Sequence, residues 1–551
     1  MQDLKNPGAR PTSEAHMAGV MQALNGGDTA RAVMLADQAL ATGDEHVLFL
    51  NLSAFGLEEA GRLEEATMRL RRALQLAPQD VLILTALGNV LSKLGQTEES
   101  LVYFNAALAL NPRHAQAHNG RATSHAELGQ EQEARQGHMR AADLDPNYPD
   151  PLGALADFAL RDNQPDLARK LAERALQLQP DLAPAAMVLA TLEAKAGEHG
   201  AALIRLDGLL TGSLAPLHRA AAEQLLGEQL EATGRAEEAL DAYVRSNRQL
   251  RRIYDPVYAS PEVETAVPLA RRLTAYFEKA DPADWAAAPG GDGLSAGGRG
   301  HVFLVGFVRS GTTLLEQVLA SHPAVTALEE QATLRAMTDP FFNTEAGLER
   351  LRTLSGPEAD LLRADYWERV RSFGIDPVGK VFVDKAPLST LWLPMIAKLF
   401  PKAKVLLAIR DPRDVVLSSF KHRFLLNALA WPFTDLTETA EFYAALMELT
   451  TLYRAKLPLQ LYQHRHEDLV RNFDGEVGRI CDFLGLEWTD SLRDFAETAR
   501  KRDVRTPSKD QVRRGLYSEG MGRWRRYGAG VEPILPILQP WVERYGYDAD
   551  A

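Results

Sequence analysis

The chain has 551 residues, 46% of them apolar and 25% charged, with a formal net charge of −13. That length calls for two or more domains, and the composition is that of a soluble globular protein. The acidic balance argues against a nucleic-acid partner, so any anion site must be a local positive pocket. The single cysteine, Cys481, excludes an intramolecular disulfide and a cysteine-based metal cluster, and it fits a reducing compartment. The opening residues lack the basic and apolar stretches of a signal peptide, and no apolar run reaches the ~18 residues of a membrane span. A cytoplasmic protein is expected.

Small residues recur every 34 positions at Ala32, Ala66, Ser100, Ala134, Ala168 and Ala202. A second series follows seven residues behind at Ala39, Ala73, Ala107, Ala141 and Ala175, and prolines repeat at Pro78, Pro112, Pro146 and Pro180. Gly61, Gly95, Gly129 and Gly197, with Asn163 in the fifth place, mark the turn within each unit. Small side chains let paired helices approach, Gly or Asn supplies the left-handed residue that ends the first helix, and proline stops the second. This helix–turn–helix period resembles the tetratricopeptide repeat over roughly residues 13 to 253, in about seven units after a short tail, 1–12. The register slips by three residues between Ala202 and Ala239, and the turn TGSLAP at 211–216 is the expected site of the insertion. The array is expected to be non-catalytic. Its concave face would take a peptide, protein or glycan acceptor, or a partner; stacking on the second domain or on another copy of the chain is the alternative.

Residues 254–300 form the joint. One amphipathic helix is expected there, with Leu269, Leu273, Tyr276 and Phe277 as its apolar candidates. The stretch AAAPGGDGLSAGGRG, 286–300, holds six glycines and reads as a flexible connector that lets the two domains be set independently; passing over the cofactor mouth is the alternative.

From His301 to the end, short apolar runs alternate with helical patterns. Strands are expected at Val302–Val305, Val381–Val383, Val405–Ile409 and Leu459–Tyr462, giving a mostly parallel, P-loop-like α/β sheet. Ligands of such sheets sit at the carboxyl ends of the strands, where Gly306, Lys385 and Arg410 fall. The stretch HVFLVGFVRSGTTLL runs from a strand through Gly306, four residues and Gly311 into a helix, which is the geometry that holds a phosphate on backbone N–H groups. The spacing is that of a nucleotide P-loop, but Thr312 stands where an NTPase has lysine, and Arg309 is the cation inside the loop. Without that lysine the anion to be held is a single 5′-phosphate carrying another group. A turn with no ligand is the bland alternative.

At these residues the chain resembles the sulfotransferases, whose loop reads P-R-S-G-T-T or close to it; Val308 here replaces the proline. The resemblance covers residues 301 to about 530 and implies that Arg309, Ser310, Gly311, Thr312 and Thr313 hold the 5′-phosphosulfate of 3′-phosphoadenosine 5′-phosphosulfate. It also implies a 3′-phosphate site, met by Arg410 and Ser418 in KVLLAIRDPRDVVLSSF; a surface ion-pair network is the alternative for RDPRD. In HPAVTALEE, Glu330 aligns with the base of tyrosylprotein sulfotransferases, with Glu329 as its rival. Lys385 after VFVD matches the lysine that contacts the leaving oxygen, although Asp384 also reads as a Walker-B acid. In the tail, Ser508 matches a catalytic serine and Arg523 a basic residue near the 3′-phosphate. His466 stands where relatives carry tyrosine near the adenine, which puts that contact in doubt.

The reading is an all-α solenoid followed by a sulfotransferase-like α/β domain that needs no metal and would transfer a sulfuryl group to an acceptor hydroxyl or amine, with the array recruiting the acceptor. A nucleotide kinase or NTPase and a non-catalytic nucleotide-binding scaffold are the competing functions. Tyrosine in a peptide, a sugar hydroxyl and a small phenol all remain open as acceptors.

Overall fold

The fold is taken from a computed structural model, which describes residues 13–294, 297–501, 515–516 and 520–547. The chain divides into two compact units, Met1–Leu214 and Ala215–Ala551. The first contains twelve described helices, α1 (Ser13–Asn25) through α12 (His199–Thr211), joined by short turns. Every alanine of the two 34-residue series in this unit is fully buried, as is Ser100. Gly61, Gly95, Gly129, Gly197 and Asn163 all have positive φ, as the helix-ending role requires.

The seventh helix pair, α13 (Pro216–Ala232) and α14 (Ala236–Tyr258), opens the second unit. The three extra residues do not lie in TGSLAP. α13 has 17 residues where α11 (Ala183–Lys195) has 13, and α12 is one residue shorter than α10 (Pro165–Leu178), 13 against 14, which leaves the net gain of three. A helix absorbs an insertion of about one turn without losing its buried face, because the side chains return to the same azimuth. Gly227 in α13 is fixed by packing: a Cβ there would lie 2.7 Å from the Tyr243 ring of α14.

The boundary at 253 likewise fails, since α14 runs through it to Tyr258. α15 (Ala266–Lys279) then buries Leu269, Leu273 and Phe277, with Phe277 edge-on to Tyr453 at 4.9 Å. The glycine-rich stretch is no free connector either. Trp285, just before it, is fully buried, and within it Ala288 N donates to Lys398 O at 3.0 Å while Trp367 Nε1 donates to Gly293 O at 3.1 Å.

The sheet comprises β1 (Gly300–Gly306), β2 (Val325–Glu329), β3 (Val381–Lys385), β4 (Lys404–Ile409) and β5 (Gln460–Arg465), all parallel, in the order β2-β3-β1-β4-β5. β2 is the strand that the sequence reading missed. Parallel strands need crossovers, supplied by α16 (Thr312–Ala320) after β1 and by α17 (Asp339–Phe342), α18 (Glu345–Arg352) and α19 (Gly356–Ser372) after β2. α20 (Leu393–Leu399) follows β3, and α21 (Pro412–Lys421) and α22 (Leu436–Lys456) follow β4. α23 (His466–Arg471), α24 (Phe473–Leu484), α25 (Phe495–Lys501) and α26 (Leu535–Arg544) complete the described helices. β1 lies at the centre of the sheet, so its carboxyl end meets those of β3 and β4.

Candidate functional site

Gly306 ends β1 and is pinned at its turn: its N–H donates to Thr390 Oγ1 at 3.0 Å, and that hydroxyl donates back to Gly306 O at 2.8 Å. The loop then bends through Arg309, at φ 68°, and Gly311, at φ 90°, before α16 begins at Thr312. Ser310, Thr312 and Thr313 are buried beneath it. The left-handed Gly311 is doubly constrained, because a Cβ there would overlap the His466 imidazole. Gly311→Ala is therefore expected to pay in both strain and displacement of His466. We expect it to lower the melting midpoint measurably and to weaken nucleotide binding about tenfold, checked by thermal melting and titration calorimetry.

The second phosphate motif meets the first. Arg410 follows β4, Asp411 caps α21 by accepting from Arg413 N at 2.9 Å, and Ser418 lies two turns on. Arg309 Nε donates to Ser418 Oγ at 3.1 Å, across 109 residues of sequence. Arg410 Nη2 donates to Gly520 O, while its buried Nε has no hydrogen-bond partner among the described residues. Asp414 accepts from Gly522 N at 2.6 Å and Trp524 N at 3.0 Å, so the tail segment carrying Arg523 is clamped onto α21. Arg309, Arg410, Ser418 and Arg523 thus line one cavity of about 280 Å³.

On the other side of β1, Lys385 ends β3 with its side chain fully buried. Its Nζ lies 2.7 Å from Glu330 Oε1 and 3.5 Å from Glu329 Oε1. Glu329 closes β2 opposite Lys385, and its side chain is 12% exposed against 45% for Glu330. Glu330 has φ 46° and anchors itself by donating its N–H to Lys385 O at 2.7 Å. Behind this pair lies Asp384, buried at the end of β3. It accepts from Tyr366 OH and Thr333 Oγ1, both at 2.7 Å, and burial pushes its pKa up to about 6. A Walker-B role would need a carboxylate turned to the mouth of the site, whereas Asp384 is buried and its Oδ2 is taken by Tyr366 and Thr333.

His466 is buried with its Nδ1 unpartnered, beside Gly311. Burial, then the charge of Arg410, hold its pKa well below the usual imidazole range, so the ring is neutral. An orphaned Arg410 Nε, a neutral imidazole on the loop and an array of cations around one cavity fit a phosphorylated nucleotide. Ser508 lies outside the described residues. The sequence reading missed Lys421, His422 and Glu231, which also line the cavity. Lys421 sits at i+3 from Ser418 on α21, a spacing that marks one helix face, and His422 follows directly after the helix end.

Residues 301–490 match the model of the sulfotransferase family, and residues 85–149 match that of the tetratricopeptide repeat. An uncharacterized protein of Aquifex aeolicus is 29% identical over 277 residues, which are 45% of this chain and 35% of that one. A putative protein-tyrosine sulfotransferase of Caenorhabditis briggsae is 25% identical over 45% of this chain and 90% of its own length. Protein-tyrosine sulfotransferase 2 of Gallus gallus is 26% identical, over 45% of this chain and 69% of its own length. The chain therefore spans about a third of the length of the Aquifex protein. Among the described residues no helix is long and apolar enough to cross a membrane.

Proposed function

We propose, from the sulfotransferase-family match of residues 301–490 and the geometry of the site, that the second unit transfers a sulfuryl group from 3′-phosphoadenosine 5′-phosphosulfate to an acceptor hydroxyl. One observation carries this reading: Arg309 of the β1 loop and Ser418 of α21 meet at 3.1 Å, joining the two expected phosphate motifs in one cavity. The loop N–H groups and Arg309 hold the 5′-phosphosulfate, and Arg410, Ser418 and Arg523 take the 3′-phosphate. Glu330 accepts the proton of the attacking hydroxyl as the new S–O bond forms. Lys385 stabilises the charge that develops on the leaving phosphate oxygen as the old S–O bond breaks.

The Glu330–Lys385 contact supports these roles, since it holds the carboxylate and the ammonium 2.7 Å apart at the carboxyl ends of neighbouring strands. The missing P-loop lysine speaks against γ-phosphoryl transfer, and Thr312 in its place is buried with the loop. The tetratricopeptide repeats support interaction with a protein, and we assign them recruitment of an acceptor carried on a peptide or larger scaffold. The similarity to protein-tyrosine sulfotransferases favours a peptide tyrosine among the acceptors.

Titration calorimetry without magnesium tests the donor. Adenosine 3′,5′-bisphosphate is expected to bind at least tenfold tighter than adenosine 5′-monophosphate, about the effect of one charge-assisted contact. Arg410→Ala is expected to erase most of that difference. Equal affinity of the unaltered protein for the two nucleotides would overturn the assignment.

A further inference from the structure

The cavity that carries Arg410 and Ser418 is closed on one side by the seventh helix pair. Gln224 and Asn247, from α13 and α14, donate to Lys421 O at 2.8 Å and Phe420 O at 3.1 Å. They satisfy carbonyls that the end of α21 would otherwise leave open. Lys421, whose side chain is 14% exposed, points back at α13. Its Nζ lies 2.8 and 2.9 Å from the two oxygens of Glu231 and donates to Tyr527 OH at 2.7 Å. Tyr243 OH donates to Glu231 Oε2 at 3.2 Å, and Arg523 Nη1 lies 3.9 Å from Oε1. One carboxylate therefore engages two of the cations that line the proposed 3′-phosphate cavity.

The other acids there behave differently. Glu228 is raised by burial, and Asp414, also raised by burial, spends its oxygens on the backbone N–H groups of the tail. Burial pushes Glu231 up as well, but the charge and hydrogen bond of Lys421 overcome it and leave the carboxyl below its usual range. His422 is held down at about 4 by burial and then by Arg309, so it adds no charge near neutrality.

We propose that Glu231 is an internal anion that competes with the donor's 3′-phosphate for Lys421 and Arg523, making it a specificity-determining residue of the donor site. The inference rests on the donor reading above. A phosphate monoester brings close to two charges and three acceptor oxygens, enough to draw both cations from a single carboxylate. A nucleotide with a 3′-hydroxyl brings no charge and leaves the Glu231–Lys421 pair closed. The seventh helix pair, which continues the repeat pattern, is then part of the donor site and sets the threshold for entry.

The test is titration calorimetry on the full chain, comparing Glu231→Gln and Glu231→Asp with the unaltered protein. In the glutamine variant Lys421 keeps a neutral partner, and its charge is left for the phosphate to satisfy. Adenosine 3′,5′-bisphosphate should bind about tenfold tighter, the scale of a close charge pair in a poorly solvated site. Adenosine 5′-monophosphate should be almost unaffected, and Glu231→Asp should resemble the unaltered protein. An unchanged or weaker bisphosphate affinity in Glu231→Gln overturns the proposal, and so does an equal gain for both nucleotides. Should that variant fail to fold, the double variant Glu231→Gln/Lys421→Met removes both charges. It should lose most of the preference for the bisphosphate; full retention of the preference overturns the proposal. A lack of preference in the unaltered protein would instead strike the donor assignment itself.

Discussion

Glu330→Gln is expected to lower turnover by about 10²-fold or more while leaving bisphosphate affinity nearly unchanged, the pattern of a lost general base. The substitution is conservative in shape. The backbone anchor, Glu330 N–H to Lys385 O at 2.7 Å, does not involve the side chain, and the amide oxygen can still accept from Lys385 Nζ. What disappears is basicity at an oxygen that is open to an incoming hydroxyl, since this side chain is 45% exposed. Glu330 also holds a left-handed backbone, which costs a non-glycine residue roughly 1–2 kcal/mol. Strain of that kind is tolerated where the surroundings fix it, and here the parallel pairing of β2 with β3 does so. Glu329→Gln is the control. That carboxylate is at the sheet edge of the pair, 3.5 Å from Lys385 Nζ and 12% exposed, a geometry suited to orienting the lysine. If Glu329→Gln shows the turnover loss and Glu330→Gln does not, the roles are reversed.

The choice between these two acids was open in the sequence because the strand that separates them was not visible there. VTALE has its β-branched residues only at Val325 and Thr326, and its Ala327-Leu328-Glu329 half is good helix-forming sequence, so the stretch does not announce a strand. Once β2 pairs with β3, Glu329 must fall opposite Lys385, and Glu330 must be the first residue beyond the sheet. The phosphate loop was easier. Strand, glycine, four residues, glycine and helix all lie within fifteen consecutive positions, so local sequence carries the whole geometry.

The repeat array was legible for a different reason. Close helix pairing demands a small residue at each crossing, and a 34-residue recurrence of such residues has few other physical causes. That same regularity misled the reading at its end. A run that continues the period looks like more of the same domain, whereas α13 and α14 belong with the compact unit that starts at Ala215. The contacts that place them there, Glu231 with Lys421 and Arg251 with Glu438, span 190 and 187 residues. No local pattern reports a pairing of that range.

Two truncations should separate sharply for this reason. A chain beginning at Ala215 keeps α13 and α14 and is expected to melt cooperatively and to bind adenosine 3′,5′-bisphosphate like the full protein. A chain beginning at Tyr254 loses α13 and most of α14. Lys421 then loses Glu231, and the carbonyls of Phe420 and Lys421 lose Asn247 and Gln224. Arg251, which forks onto Glu438 at 2.7 and 2.8 Å and stacks over Trp431 at 4.9 Å, is removed as well. Losing one side of several largely buried contacts at once removes a large share of the roughly 5–15 kcal/mol that holds a domain together. The shorter chain should therefore melt at least about 10 °C lower, or without a cooperative transition, and lose bisphosphate binding. Circular dichroism melts and calorimetry on both fragments decide it. If the chain beginning at Tyr254 melts and binds as the longer one does, the seventh helix pair belongs to the array after all, and the donor site ends at α21 and the tail.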